Sequence, residues 1–153
     1  MFDLCINNTR IIDTEKERIT VGNICISDGK IAEITREYKE AREVIDAGGR
    51  HISPGFIDIH THIEGNNSAG ELICRQGVTT VVNGNCGIGP DDLSSFIHAQ
   101  RDGTFIVNQI EIAGATILRK RVGVTDPHSP MTDEQLSRAE SLLTDLFTAG
   151  AAG

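Results

Sequence analysis

Apolar and polar positions divide this chain at about residue 54. Before that point, short apolar runs (Leu4 to Ile6, Arg10 to Ile12, Ile19 to Ile26, Lys30 to Ile34, Val44-Ile45) are separated by turn residues. Ser27-Asp28-Gly29-Lys30 predicts a hairpin, because Asp-Gly between β-branched runs accepts positive φ. Ile24 and Ile26 against Asn23 and Cys25 predict a strand with one buried face. Gly48-Gly49 marks a further turn. Residues 1–54 thus read as an all-β unit, a thin sheet that needs a partner layer.

From residue 55 the rhythm becomes alternating strand and helix. Phe56 to Ile59 predicts a short strand. Ser68 to Glu71 fits a capping box with Ser68 as N-cap, and Gly77 closes that helix. Val78 to Val82 is the β-branched run of a strand buried on both faces. Pro90-Asp91-Asp92 opens a second helix with acids at its positive end, and Leu93, Phe96 and Ile97 form its apolar stripe. Phe105 to Val107 predicts a third strand. Thr132 to Gln135 is another capping box, with Met131 and Leu136 spaced as a hydrophobic staple. Leu136, Ala139, Leu142, Leu143, Leu146 and Phe147 line one face of the helix that follows, which Gly150 stops.

Three β-α units imply a parallel sheet and an α/β fold. A closed barrel needs eight such units and about 250 residues. The expectation is therefore a truncated chain, with a bare third strand and Gly150 to Gly153 standing where a fourth would begin. A small open three-stranded domain is the competing reading.

Composition narrows the function. The 153 residues carry a net charge of −8, a poor basis for capturing nucleic acid or an anionic membrane. No long apolar run or basic leader marks the start, so a cytoplasmic protein is the expectation. Four cysteines (Cys5, Cys25, Cys74, Cys86) lack the close spacing of a zinc finger or a disulfide framework. Cys5, Cys25 and Cys74 are expected as small buried residues.

Candidate chemistry concentrates at Pro54 to His62. Side chains two apart on a strand share a face about 6.6 Å apart, which lets His60 and His62 converge on one cation. Asp58, one step deeper, is placed to orient a ligand. The histidines fall at the C-terminal end of their strand, where parallel α/β folds build sites. Cys86 follows the next strand on the same rim, within reach of a metal held by His60 and His62. Imidazole and thiolate are natural zinc ligands. The glycines around Cys86 (G-x-x-G-x-G) fit neither a dinucleotide nor a P-loop pattern, and Asp91 and Asp92 would repel phosphate. His51, His98 and His128 read as surface or packing residues. Glu64 and Asn67 are candidates to touch substrate.

On these residues the chain resembles the amidohydrolase superfamily: Ser27 to Ile31, Val44 to Ala47 and Pro54 to His62 look like its N-terminal β-sandwich running into barrel strand one. Gly77 to Val82, Gly84 to Gly87, Val107-Asn108, Gly114, Leu118-Arg119 and Ala149 to Gly153 are similar to its D-aminoacylase branch. The resemblance implies part of a β-sandwich over 1–54 and the first three β-α units of a TIM (β/α)8 barrel over 55–153. It implies Zn2+, with His60, His62 and Cys86 as ligands, and the other ligands and a catalytic aspartate on later strands. The implied reaction is hydrolysis of a small N-acyl-D-amino acid, and a homo-oligomer is a further expectation. Ala115 after Gly114, where many relatives carry His, and a short stretch from Cys86 to Phe105 depart from the pattern. A cyclic-amide hydrolase of the dihydroorotase or hydantoinase type, and a non-catalytic relative kept for oligomerisation, are the alternatives. Cys86 argues against the former.

Overall fold

The computed structural model describes residues 1–90, 92–126 and 128–153. It forms two compact units, Met1–Pro54 and Gly55–Gly153, and the fold is mixed α/β.

The first unit is a five-stranded sheet. Strand β1 (Phe2–Asp13) pairs antiparallel with β2 (Arg18–Ser27), which pairs antiparallel with β3 (Lys30–Thr35). β4 (Ala41–Asp46) and β5 (His51–Ile52) both lie parallel to β1. The Asp-Gly hairpin forms as its chemistry requires, with Asp28 and Gly29 at φ 51° and 70°. The two apolar runs expected at Leu4–Ile6 and Arg10–Ile12 are one strand. A register shift between Ile6 and Thr9 absorbs the polar residues between them, with Asn8 at φ 56°.

Two expectations fail at β2. Asn23 and Cys25 are buried along with Ile24, because both faces of the strand are covered at this point. Asn23 accepts from Asn8 N and donates to the Glu37 carbonyl. Cys25 sits opposite Cys5 at a Cα–Cα distance of 4.3 Å, and the two form a disulfide. Sequence spacing gave no hint of that bond, because strand register, not separation along the chain, creates a cross-strand cysteine pair.

The second unit is built on three parallel strands in the order β6 (Phe56–Asp58), β7 (Val78–Asn83), β8 (Asn108–Glu111). Helix α1 (Asn67–Cys74) links the first two, and α2 (Leu93–Arg101) the second and third. α3 (Ala115–Arg121), not expected from the pattern, and α4 (Asp133–Ala149) follow. One apolar cluster joins Leu93 and Phe96 of α2 to Leu146 of α4. Another joins Val122, Val124 and Ala139, with Met131 and Leu142 against it.

Several boundaries move. The cap of α1 is Asn66, whose side chain accepts from Ala69 N, so Ser68 lies inside the first turn. Asp92 caps α2 through Ser95 N; Asp91 lies outside the described residues. Thr132 and Gln135 make the expected reciprocal capping box. Leu136 is nonetheless 46% exposed, and Met131 packs on the Val122 cluster instead. β7 is not buried on both faces throughout: Thr79 is exposed, whereas Val81 and Asn83 are buried. Cys74 is exposed at the end of α1.

The third strand is Asn108–Glu111, not Phe105–Val107. Phe105 stacks on Phe96 with ring centroids 4.9 Å apart, and Val107 packs beneath Gly70 of α1. The more apolar run serves as the lead-in, and the polar one pairs with β7. Nor is its far edge bare, since Ala152 N donates to the Glu111 carbonyl and Ala113 N to that of Gly153.

Candidate metal centre

The His60–His62 segment does not follow the strand geometry expected of it. β6 ends at Asp58, and the chain bends at Ile59 and His60. Asp58 Oδ1 accepts the His60 backbone N–H at 3.1 Å, which holds the bend. Thr61 N still reaches the Val82 carbonyl at 2.9 Å, so the segment stays beside β7 past the end of its own strand. The two imidazoles meet edge to face, centroids 5.4 Å apart.

Cys86 arrives from the other side. After β7 the chain makes one turn of 3-10 helix, Asn85–Gly87; Gly84 just before it and Cys86 and Gly87 within it all have positive φ. Cys86 itself sits at φ 58°, uncommon for a residue with a Cβ and costing about 1–2 kcal/mol. Asn85 ties the loop down by donating to the Val82 carbonyl at 2.8 Å. The glycines serve close packing: a Cβ on Gly84 would run into the Ile112 backbone, and one on Gly114 into Gly87. That accounts for the glycine-rich stretch without a phosphate.

The outcome is one cluster. Ligand atoms of His60, His62 and Cys86 all lie within 4.8 Å of one another. Cys86 Sγ is 3.5 Å from His60 Nε2. Donors about 2.0–2.3 Å from a tetrahedral zinc stand roughly 3.3–3.7 Å apart, so that pair has the spacing of two ligands on one ion. Two imidazoles and a thiol also match zinc's preference for nitrogen and sulfur. All three side chains are exposed.

The surroundings are more polar than the sequence suggested. Glu64 Oε1 lies 3.7 Å from His62 Nδ1. Behind it runs a buried network. Asn83 Oδ1 accepts from Thr61 Oγ1 at 2.6 Å and Ile63 N at 3.3 Å. Asn83 Nδ2 donates to Gln109 Oε1 at 2.9 Å, which also takes Gly65 N at 2.9 Å. The loop carrying both histidines is thereby fastened to β7 and β8. Asn67, in contrast, is committed to the Thr104 carbonyl and Ile106 N, a structural role. His51, His98 and His128 are exposed and outside the cluster.

Glu111, at the end of β8 beside Asn83, was missed entirely. It is only 1% exposed. Burial first, then the charge of Glu64, push its carboxyl up to about 7, against a small opposing pull from the Asn83 amide. The available signal was period two: Gln109 and Glu111 alternate with exposed Asn108 and Ile110. Polar letters at that spacing do not suggest a strand.

The shift has a pH consequence in the metal-free protein. The folded state holds the Glu111 proton up to about 7, whereas the unfolded chain releases it near 4.5. Between those values the native state binds more protons, so stability falls as pH rises. Melting temperature is expected to drop across that window, and Glu111→Gln to flatten the slope. An equal slope in both proteins would refute the assignment.

Comparison with known proteins places the chain in a family. Residues 43–94 match the model of the amidohydrolase family, and the chain belongs to that family. An N-acyl-D-aspartate deacylase of Alcaligenes xylosoxydans xylosoxydans is 32% identical over 99% of this chain and 36% of its own length. A crystal structure of D-aminoacylase superposes at TM-score 0.86 and 27% identity, over 100% of this chain and 38% of that one. An N-acyl-D-glutamate deacylase from Bordetella bronchiseptica, complexed with zinc and a phosphonate inhibitor, gives 0.85 and 25%, over 99% and 37%. Within the family, then, the likeness is to the D-aminoacylase branch. The chain spans a little over a third of the length of these relatives.

Proposed function

We propose that His60, His62 and Cys86 hold zinc in a hydrolase that cleaves the amide of a small N-acyl-D-amino acid. The observation that carries this is the convergence of the three donors at the C-terminal rim of a parallel sheet. Likeness to deacylases of N-acyl-D-amino acids supports the substrate class. On this reading β6 to β8 with their helices are the first three units of a (β/α)8 barrel, and the sheet of residues 1–54 is part of a β-sandwich.

Zinc there supplies Lewis-acid polarisation of an acyl carbonyl and acidifies water. The chain's own residues set the geometry. Asp58 fixes the bend that presents His60, Glu64 faces the Nδ1 side of the His62 ring, and the Gly84–Gly87 loop brings the Cys86 sulfur to His60. Cys86 must be deprotonated to bind, so zinc uptake releases a proton and weakens as pH falls.

The intact protein should bind zinc and hydrolyse N-acyl-D-amino acids while leaving the L-enantiomers. With cobalt in place of zinc, a thiolate-to-metal absorption band is expected. Cobalt binding without that band would remove Cys86 from the site, and absence of amide hydrolysis in the zinc-loaded protein would reject the function.

A further inference from the structure

The sheet of residues 1–54 has very little interior of its own. Among the described residues, its buried apolar side chains are Cys5, Ile11, Ile24 and Cys25. Ile19, Val21, Ile31 and Ile34 of the same sheet are more than half exposed. A unit of this size gains little from burial alone, and cross-links commonly supply the difference in small folds. Half of that small core is the cysteine pair.

Cys5 and Cys25 stand directly opposite each other in the antiparallel ladder of β1 and β2, with both side chains fully buried. Strand register holds them there, so the sulfurs stay neighbours whether or not they are bonded. Reduced, they are two small apolar side chains in an apolar place. Oxidised, they join positions 20 apart along the chain and forbid every opening in which β1 and β2 part at this point. Both states fit the same fold and differ in how readily it opens. The pairing of β2 with β3 slips between Cys25 and Ile26, beside one end of the bond. β3 is a short strand at the edge of the sheet. An interrupted ladder at an edge opens locally at low cost, which gives a small thiol or disulfide its route to the buried sulfur.

We propose that Cys5 and Cys25 are a reversible thiol–disulfide couple, closed by a low-molecular-weight disulfide of the glutathione class, whose oxidation state sets the stability of the Met1–Pro54 sheet. In closure, one cysteine thiolate attacks a sulfur of oxidised glutathione and displaces a glutathione thiolate. The second cysteine thiolate then attacks the protein sulfur of the mixed disulfide and displaces the other glutathione. The two protons lost by the cysteines go to the two departing thiolates. Two protein thiols are oxidised and one glutathione disulfide is reduced to two thiols; excess reduced glutathione runs the exchange backwards.

Only β1 and β2 are involved, so the couple is independent of the metal centre. The intact, metal-free protein is equilibrated with oxidised or with reduced glutathione and its fold followed by circular dichroism. Free thiols are then alkylated and located by peptide mass mapping. Cys5 and Cys25 should be bonded to each other in the first condition and free in the second, with the spectrum unchanged. Hydrogen exchange of the β1 and β2 amides should be at least about tenfold slower in the oxidised protein. Cys25→Ala should exchange alike in both conditions. Absence of the Cys5–Cys25 bond in oxidised glutathione, its survival in reduced glutathione, or equal exchange in the two states would overturn the proposal. Should Cys25→Ala not fold, Cys5→Ala takes its place, and the two states of the unaltered chain decide the outcome without either.

Discussion

Cys86→Ala, His60→Ala and His62→Ala, each made in the intact protein, are expected to weaken zinc binding by more than about 100-fold. The magnitude follows from a comparison. Removing a group that merely orients a ligand commonly costs about 10–100-fold, and these changes remove the donor itself. Cys86→Ala is the cleanest of the three. Position 86 has φ 58°, and Ala and Cys meet the same steric demand there, so the backbone cost is unchanged while the sulfur is lost. Cys74→Ala is the matched control, because Cys74 is also a free, exposed thiol but lies at the end of α1 outside the cluster. It should leave zinc content as it was. Metal analysis by mass spectrometry after dialysis reads the result, and unchanged stoichiometry in all three variants would dismantle the centre.

Asn83→Leu should produce the largest loss of stability, about 3–5 kcal/mol. Asn83 is fully buried, and its side chain accepts two hydrogen bonds and donates one. Leucine fills similar space but strands the Ile63 N–H and part of Gln109 and leaves the Thr61 hydroxyl only its longer bond to the Val82 carbonyl, and each buried group left unmatched costs about 1–3 kcal/mol. Thr61→Val, which removes one partner, should cost about 1–2 kcal/mol. Because this network fastens the loop bearing His60 and His62, Asn83→Leu should also weaken zinc binding. Thermal denaturation of the metal-free protein separates the two effects, and a loss below about 1 kcal/mol would mean the network is not holding the loop.

Much of the local structure was legible in the residues. The Asp28-Gly29 hairpin, the Thr132 cap and the Gly150 stop all follow from short-range chemistry that needs no distant partner. The gathering of His60, His62 and Cys86 was legible too, though by a route the structure revises. The expectation used strand alternation to bring the histidines together, whereas a bend held by Asp58 does so, with Cys86 reaching them through a left-handed turn.

What escaped was whatever depends on a neighbour far along the chain. Cys5 and Cys25 pair because β1 and β2 meet in that register. Phe105 to Val107 is the more apolar run, yet Asn108 to Glu111 became the strand, since the apolar side chains found Phe96 and α1 to pack on. The buried polar row of Thr61, Asn83 and Gln109 reads as ordinary loop and turn residues until three parallel strands place them side by side.

The residues by themselves determined where the chain turns, where α4 starts and stops, and which donors are available to a metal, because those depend on backbone preferences and side-chain chemistry within a few positions. Only the tertiary structure decided which polar groups are buried together, and so the isolation of Glu111 and the support of the histidine loop. Burial and pairing are properties of strand register and packing, and hydrophobic pattern alone says nothing of a polar side chain whose partner lies on another strand, far along the chain.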